Sequence, residues 1–294
     1  PPLAKFAASF GIVEANAGGL LPVTVRNLTS FQAAENKPAG GALAGTLAPT
    51  ATAAAQPPQG ALYRLLPLTD EQQVIRWLSK GLYPHPVDQN DTRQPEEISV
   101  LKNVPGVLQG NLPTPTSNRE AEVIGIPLPK LGFQVVEIES PRLGAHLLDS
   151  KNPMYVRASA LNTNMAVHLK LGDENSLVWV TTLDKAFHVP NASISIRDCE
   201  GRQLWSGKTD KTGMAWVRQP LRQGCSKYVF ARSNADFSFA RSDWDDGIES
   251  WRFNLPGPDW RGPNAFHTIF DRSLLRVGDT VYMKHLARKR TSAG

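Results

Sequence analysis

At 294 residues and 32.1 kDa the chain is about twice the length of a common single domain, which predicts two domains or more. Hydrophobic residues make up 41% and charged residues 20%, ordinary globular usage that excludes disorder throughout. The net charge of +5 comes from 32 Lys and Arg against 27 Asp and Glu, with the basic residues set singly along most of the chain, which argues against a nucleic-acid partner.

No apolar run reaches the roughly 20 residues a bilayer-spanning helix needs. The opening Pro1-Pro2-Leu3-Ala4-Lys5 has neither an initiator Met nor the charged-then-apolar order of a signal segment. It reads as a mature product or a fragment that has lost its targeting information. Two cysteines, Cys199 and Cys225, are too few for a disulfide scaffold or a four-thiolate zinc site.

In chain order, 6–14 and 20–27 read as strands separated by the turn-forming Asn16-Ala17-Gly18-Gly19. Residues 33–60 are rich in Ala, Pro, Gly and Thr without an aromatic, and are expected to form a flexible loop. A strand resumes at 61–66. One short helix follows over 70–80, where Thr69-Asp70-Glu71-Gln72 makes a capping box with Thr69 as the cap. Val74, Trp77 and Leu78 give this helix an apolar stripe, and Lys80 and Gly81 suit its end. Residues 119–126 and Gly132–Ser140 read as strands; in the latter, Phe133, Val135, Val136 and Ile138 face a core, and Glu137 and Glu139 face water. The first domain is expected to cover 1–150.

From Met154 to Arg241 eight short strand-like runs alternate with turn signals every 8–12 residues. This is the signature of a β-sandwich, placed at 151–245. A Trp- and Pro-rich connector follows over 246–264. Two further strands in 265–294 predict the start of a third sandwich, cut short. The fold class is therefore mainly β: tandem antiparallel sandwiches of the fibronectin III or immunoglobulin kind, with one short helix in the first domain.

Three stretches carry a family resemblance. Ser176–Leu183, Val189-Pro190-Asn191-Ala192-Ser193-Ile194 and Gly201–Ala215, with its Thr209-Asp210-x-x-Gly213 turn, resemble the strand, loop and hairpin order of the bacterial α2-macroglobulin family. Phe270–Lys284 is similar to the opening of that family's following domain, with Leu275 and Val277 where Tyr and Pro are common. Gly132–Ser140 is similar to the last strand of the preceding domain. The resemblance implies a row of macroglobulin domains, a periplasmic or cell-envelope location, and a scaffold role in a large protease inhibitor. In such an inhibitor a bait region is cut and the body collapses around the protease. Expected partners are proteases, for the whole protein and not for this stretch, then neighbouring domains of the same chain and cell-envelope proteins. No thioester run is present, since Cys199 is followed by Glu-Gly-Arg and Cys225 by Ser-Lys-Tyr. The alternative is an adhesion or carbohydrate-binding sandwich protein.

The remaining constellations point away from catalysis. His85, His146, His168, His188, His267 and His285 are scattered, and no nucleophile elbow occurs. Asp243-Trp244-Asp245-Asp246-Gly247 fails the calcium-loop spacing. No catalytic residue, metal ligand or cofactor is expected. In a sandwich, Cys199 and Cys225 come within disulfide reach, the alternative being two buried thiols. Trp179 and Trp216 are expected in the core, and Trp244, Trp251 and Trp260 at a contact between domains. The basic run 284–290 reads as the solvated part of a strand.

Overall fold

A computed structural model describes residues 1–28, 61–82, 93–113, 121–172, 174–221, 224–244, 252, 264–272, 274 and 276–289. The expected loop at 33–60 lies outside the described residues, as does most of the connector 246–264. The chain divides into two compact units, Pro1–Asn164 and Met165–Gly294.

The first unit contains β1 (Leu3–Phe6), β2 (Phe10–Glu14), β3 (Leu20–Arg26), β4 (Leu62–Leu68), α1 (Glu71–Lys80), β5 (Leu108–Asn111), β6 (Glu122–Pro127), β7 (Gly132–Ser140), α2 (Pro141–Leu147) and β8 (Met154–Thr163). A three-stranded antiparallel sheet, β1-β3-β6, stacks on a five-stranded sheet, β2-β8-β7-β4-β5, in which only β2 and β8 run parallel. Alternation along each strand sends one set of side chains into the shared core: Phe6, Val23, Val25, Ile124 and Ile126 from the small sheet, Leu65, Val136, Ile138, Ala158 and Ala160 from the large one.

Four sequence expectations change here. The run 6–14 is two strands in different sheets. Met154–Leu161, expected to head the second domain, lies in β8, which pairs with β7 and completes the first unit. A second short helix, α2, follows β7: the Ser140 hydroxyl accepts from the Leu143 amide at 3.2 Å and Pro141 occupies the first turn, where a missing N–H costs nothing. In α1 the cap is Asp70, one residue later than expected, accepting from the Gln73 amide at 2.8 Å. Its fully buried residues are Val74 and Ile75.

The other face of the large sheet is buried as well, contrary to the expectation that Glu137 faces water. The register sets Arg64, Glu137 and Arg157 side by side on adjacent strands. Glu137 is 0% exposed. Arg157 Nε lies 3.1 Å from one of its oxygens and Arg64 Nη1 3.5 Å from the other. Arg64 also reaches Glu139 at 2.6 Å. The Ser99 hydroxyl and the Val100 amide donate to Glu137 at 2.5 and 2.7 Å. Arg157 in turn donates to the Pro95 and Ile98 carbonyls. The charges thereby fasten the segment 95–100 over the sheet and satisfy its backbone.

The second unit contains β9 (Met165–Leu171), β10 (Ser176–Thr182), β11 (Ser193–Arg197), β12 (Gln203–Lys208), β13 (Met214–Val217), β14 (Tyr228–Ser233), β15 (Asp236–Arg241), β16 (Asn264–Phe270) and β17 (Met283–Lys289). Sheets β13-β10-β9 and β12-β11-β14-β15 form a seven-stranded antiparallel sandwich around Val178, Val180, Ile194, Ile196, Val217, Val229 and Ala231. Strands β16 and β17 pair with each other. The Thr209-x-x-x-Gly213 segment carries the chain from one sheet to the other. The Thr209 hydroxyl accepts from the Ala192 amide and donates to the Val189 carbonyl. The Asp210 carboxylate accepts from the Thr212 and Met214 amides. Gly213 has φ +76, and a Cβ there would meet the Val180 carbonyl at 2.6 Å. Among the described residues no helix is long and apolar enough to cross a membrane.

Replacing Glu137 by Ala leaves two buried guanidinium groups without their shared carboxylate and is expected to cost about 3–5 kcal/mol in urea unfolding. Glu139→Ala, at the margin of the same array, is expected to cost about 1 kcal/mol or less.

Candidate functional site

The second unit presents three features with chemical content. The first is one end of the four-stranded sheet. Cys199 follows β11 and Cys225 precedes β14, so the pairing of those strands brings the two sulfurs together in a disulfide with Cα atoms 5.9 Å apart. The Cys199 amide also donates to Cys225 Sγ at 3.2 Å. Beside it Asp198 is buried and accepts from the Glu200 and Arg202 amides and from Arg202 Nε at 2.8 Å. Burial pushes this carboxyl up, but the Arg202 guanidinium and the two amides outweigh it and hold it below the ordinary carboxylate value. Lys227, also buried, donates to the Cys225 carbonyl.

The second feature is the face of that sheet turned away from the sandwich core. Tyr228, Phe230, Phe237 and Phe239 share it by register and are all buried. Phe230 stacks within 5.7 Å of Phe237 and 5.6 Å of Phe239. Arg232 lies over Phe237 at 4.5 Å and Arg241 over Tyr228 at 5.4 Å. Trp244 packs on Phe239 with ring centroids 5.4 Å apart. Of the three tryptophans assigned to a contact between domains, Trp244 thus caps an aromatic layer, while Trp251 and Trp260 lie outside the described residues.

The third feature is the solvent-facing side of β9-β10-β13, and it corrects the sequence reading. Val178, Val180, Ala215 and Val217 fill the core, so Trp179 and Trp216, between them in sequence, point outward. Trp216 is 55% exposed. Trp179 is half-buried between two imidazoles, His168 at 5.2 Å and His188 at 6.4 Å. Phe187 stands exposed just before His188, with Lys185 5.9 Å from its ring. Beyond Trp216 an open depression of about 380 Å³ is lined by Glu174, Asn175, Trp216 and Arg218. The only sequence signal for this face was parity: each indole alternates with small apolar residues.

Of the other histidines, His85 lies outside the described residues. His146 bonds the Arg142 carbonyl and His285 the Thr268 hydroxyl, each at 2.9 Å. Among the described residues no three His, Cys, Asp or Glu side chains gather as a metal site.

Residues 162–260 match the family described as the bacterial alpha-2-macroglobulin MG3 domain. No curated protein matches the chain. Among solved structures, the chain is similar to a crystal structure of native alpha-2-macroglobulin from Escherichia coli spanning domains MG0-NIE-MG1, at 12% identity and TM-score 0.48, over 82% of this chain and 64% of that one. A crystal structure of domains NIE-MG1 of the same protein matches at 10% identity and TM-score 0.49, over 81% and 96%. The cryo-EM reconstruction of its native conformation matches at 14% identity and TM-score 0.51; it covers 98% of this chain, which spans 15% of that protein. This last is a likeness of fold.

Two outcomes follow from the geometry. The Cys199–Cys225 bond closes a loop of about 27 residues, and the double substitution to Ser is expected to lower stability by about 3–4 kcal/mol in denaturant unfolding. Partial burial lowers the His168 pKa from its ordinary 6.5, so the unfolded chain takes up that proton first as pH falls. Its contribution to stability is full above about pH 6.5 and is lost as pH drops through the lowered value. Urea midpoints measured from pH 8 to 5 should decline in the native sequence and less in His168→Gln. A second decline below about pH 4, where Asp198 and Asp243 lose their lowered pKa advantage, should persist in both.

Proposed function

We propose, from the match of residues 162–260 to the bacterial alpha-2-macroglobulin MG3 domain, that this chain is a non-catalytic scaffold within a broad-spectrum protease inhibitor of the cell envelope. The family match carries the reading. The arrangement of ionisable groups supports it: Glu137, Arg64, Arg157 and Asp198 are spent on fastening backbone and on one another. The disulfide supports an oxidising compartment such as the periplasm. Proteases are the targets of the whole inhibitor, and neighbouring domains of the same chain are the immediate partners of this stretch.

The test compares this chain with the full inhibitor that contains it, using trypsin and elastase on a large protein substrate and on a small peptide substrate. The chain alone is expected to leave both activities unchanged. The full protein is expected to protect the large substrate and spare the small one. Inhibition by the chain alone, or none by the full protein, would overturn the reading.

A further inference from the structure

We infer that the solvent-facing side of β9-β10-β13 is a binding site for an uncharged oligosaccharide, with a sugar ring stacked on Trp216. The inference rests on this sheet face and not on the scaffold reading above. Register places Lys170, Leu177 and Trp216 in one row across the three strands and His168, Trp179 and Met214 in the next. Trp216 and Trp179 are therefore diagonal neighbours on one face, with backbone positions about 7–8 Å apart. His188 bridges to Thr181 on the same strand as Trp179, and its ring lies 6.4 Å from the indole. The two indoles lie side by side on the open face, one for each of two neighbouring sugar units.

Chemistry at the open end selects the ligand class. The exposed Trp216 indole offers a flat apolar surface, which suits the C–H face of a pyranose. Around it Glu174 accepts, Arg218 donates, and Asn175 does both, the repertoire that vicinal hydroxyl groups need. Glu174 and Arg218 put opposite charges at the depression, which suits a neutral polar ligand, and the exposed Lys170, two strands away in the row of Trp216, adds a further donor. Its volume of about 380 Å³ accommodates a sugar unit and leaves the rest of an oligomer to lie over Trp179.

The experiment titrates the intact chain with two neutral trisaccharides, one of β-linked N-acetylglucosamine and one of α-linked glucose, following the indole N–H resonances by NMR. At least one sugar is expected to give saturable shifts at Trp216 and Trp179. Trp216→Ala, an exposed position whose loss leaves the core intact, is expected to weaken binding about tenfold, and Trp216→Tyr to restore most of it. Circular dichroism checks that both variants fold. Absence of shifts with both sugars would overturn the site, as would equal binding by Trp216→Ala. So would binding confined to an anionic oligosaccharide, or concentration-dependent self-association that Trp216→Ala abolishes.

Discussion

A carboxylate without exposed surface governs the first unit. Glu137 sits mid-strand in β7, between Arg64 on β4 and Arg157 on β8, and neither guanidinium has a better place to go. Burying one such charge alone is prohibitive, so the three residues specify one another and fix the register of three strands at once. A slip by one residue would bring Glu137 into the apolar core and strand both arginines. The same groups bind the backbone of 95–100, so a stretch without regular strand pairing lies flat on the sheet with its amides and carbonyls satisfied. The array adds specificity that an apolar face would lack, although isosteric apolar replacement is often no less stable.

The second unit achieves its order differently. Its two sheets are joined by the Thr209–Gly213 crossover, where the Thr209 hydroxyl holds the Ala192 amide and the Val189 carbonyl. The Asp210 carboxylate holds the Thr212 and Met214 amides, and the left-handed Gly213 lets the chain pass close to the Val180 carbonyl. That gives the Thr-Asp-x-x-Gly pattern a physical meaning beyond a turn: it closes the edge where the chain leaves one sheet and enters the other. The disulfide ties the far end of the same sheet, so β11 is pinned both before its first residue and after its last.

Much of this was legible in the residues. Short alternating runs with regular turn signals gave the sandwich class, and the two cysteines flanking paired strands gave the bond. The failures have a common origin in non-local pairing. Glu137 reads as a solvent residue because its two cations lie 73 positions before and 20 after it, on strands whose register no local pattern reveals. Trp179 and Trp216 read as core because large aromatics usually are, yet the small residues beside them claim the interior and parity turns the indoles out. Met154–Thr163 has the composition of any buried strand, and only its partners place it in the first unit. The cap of α1 moved by one residue because Thr69 and Asp70 are both competent, and only backbone geometry chooses between them.

The parallel pairing of β2 with β8 carries a consequence for biosynthesis. Phe10 meets Ser159, so the edge of β2 stays vacant until the last strand of the same unit has left the ribosome. Of the other strands in the large sheet, β4, β5 and β7 pair with one another, and only the far edge of β7 waits for β8 as well. Such long loops are slow to close. The nascent chain therefore carries unsatisfied strand edges at β2 and β7 until β8 emerges, a target for holding chaperones before this unit closes.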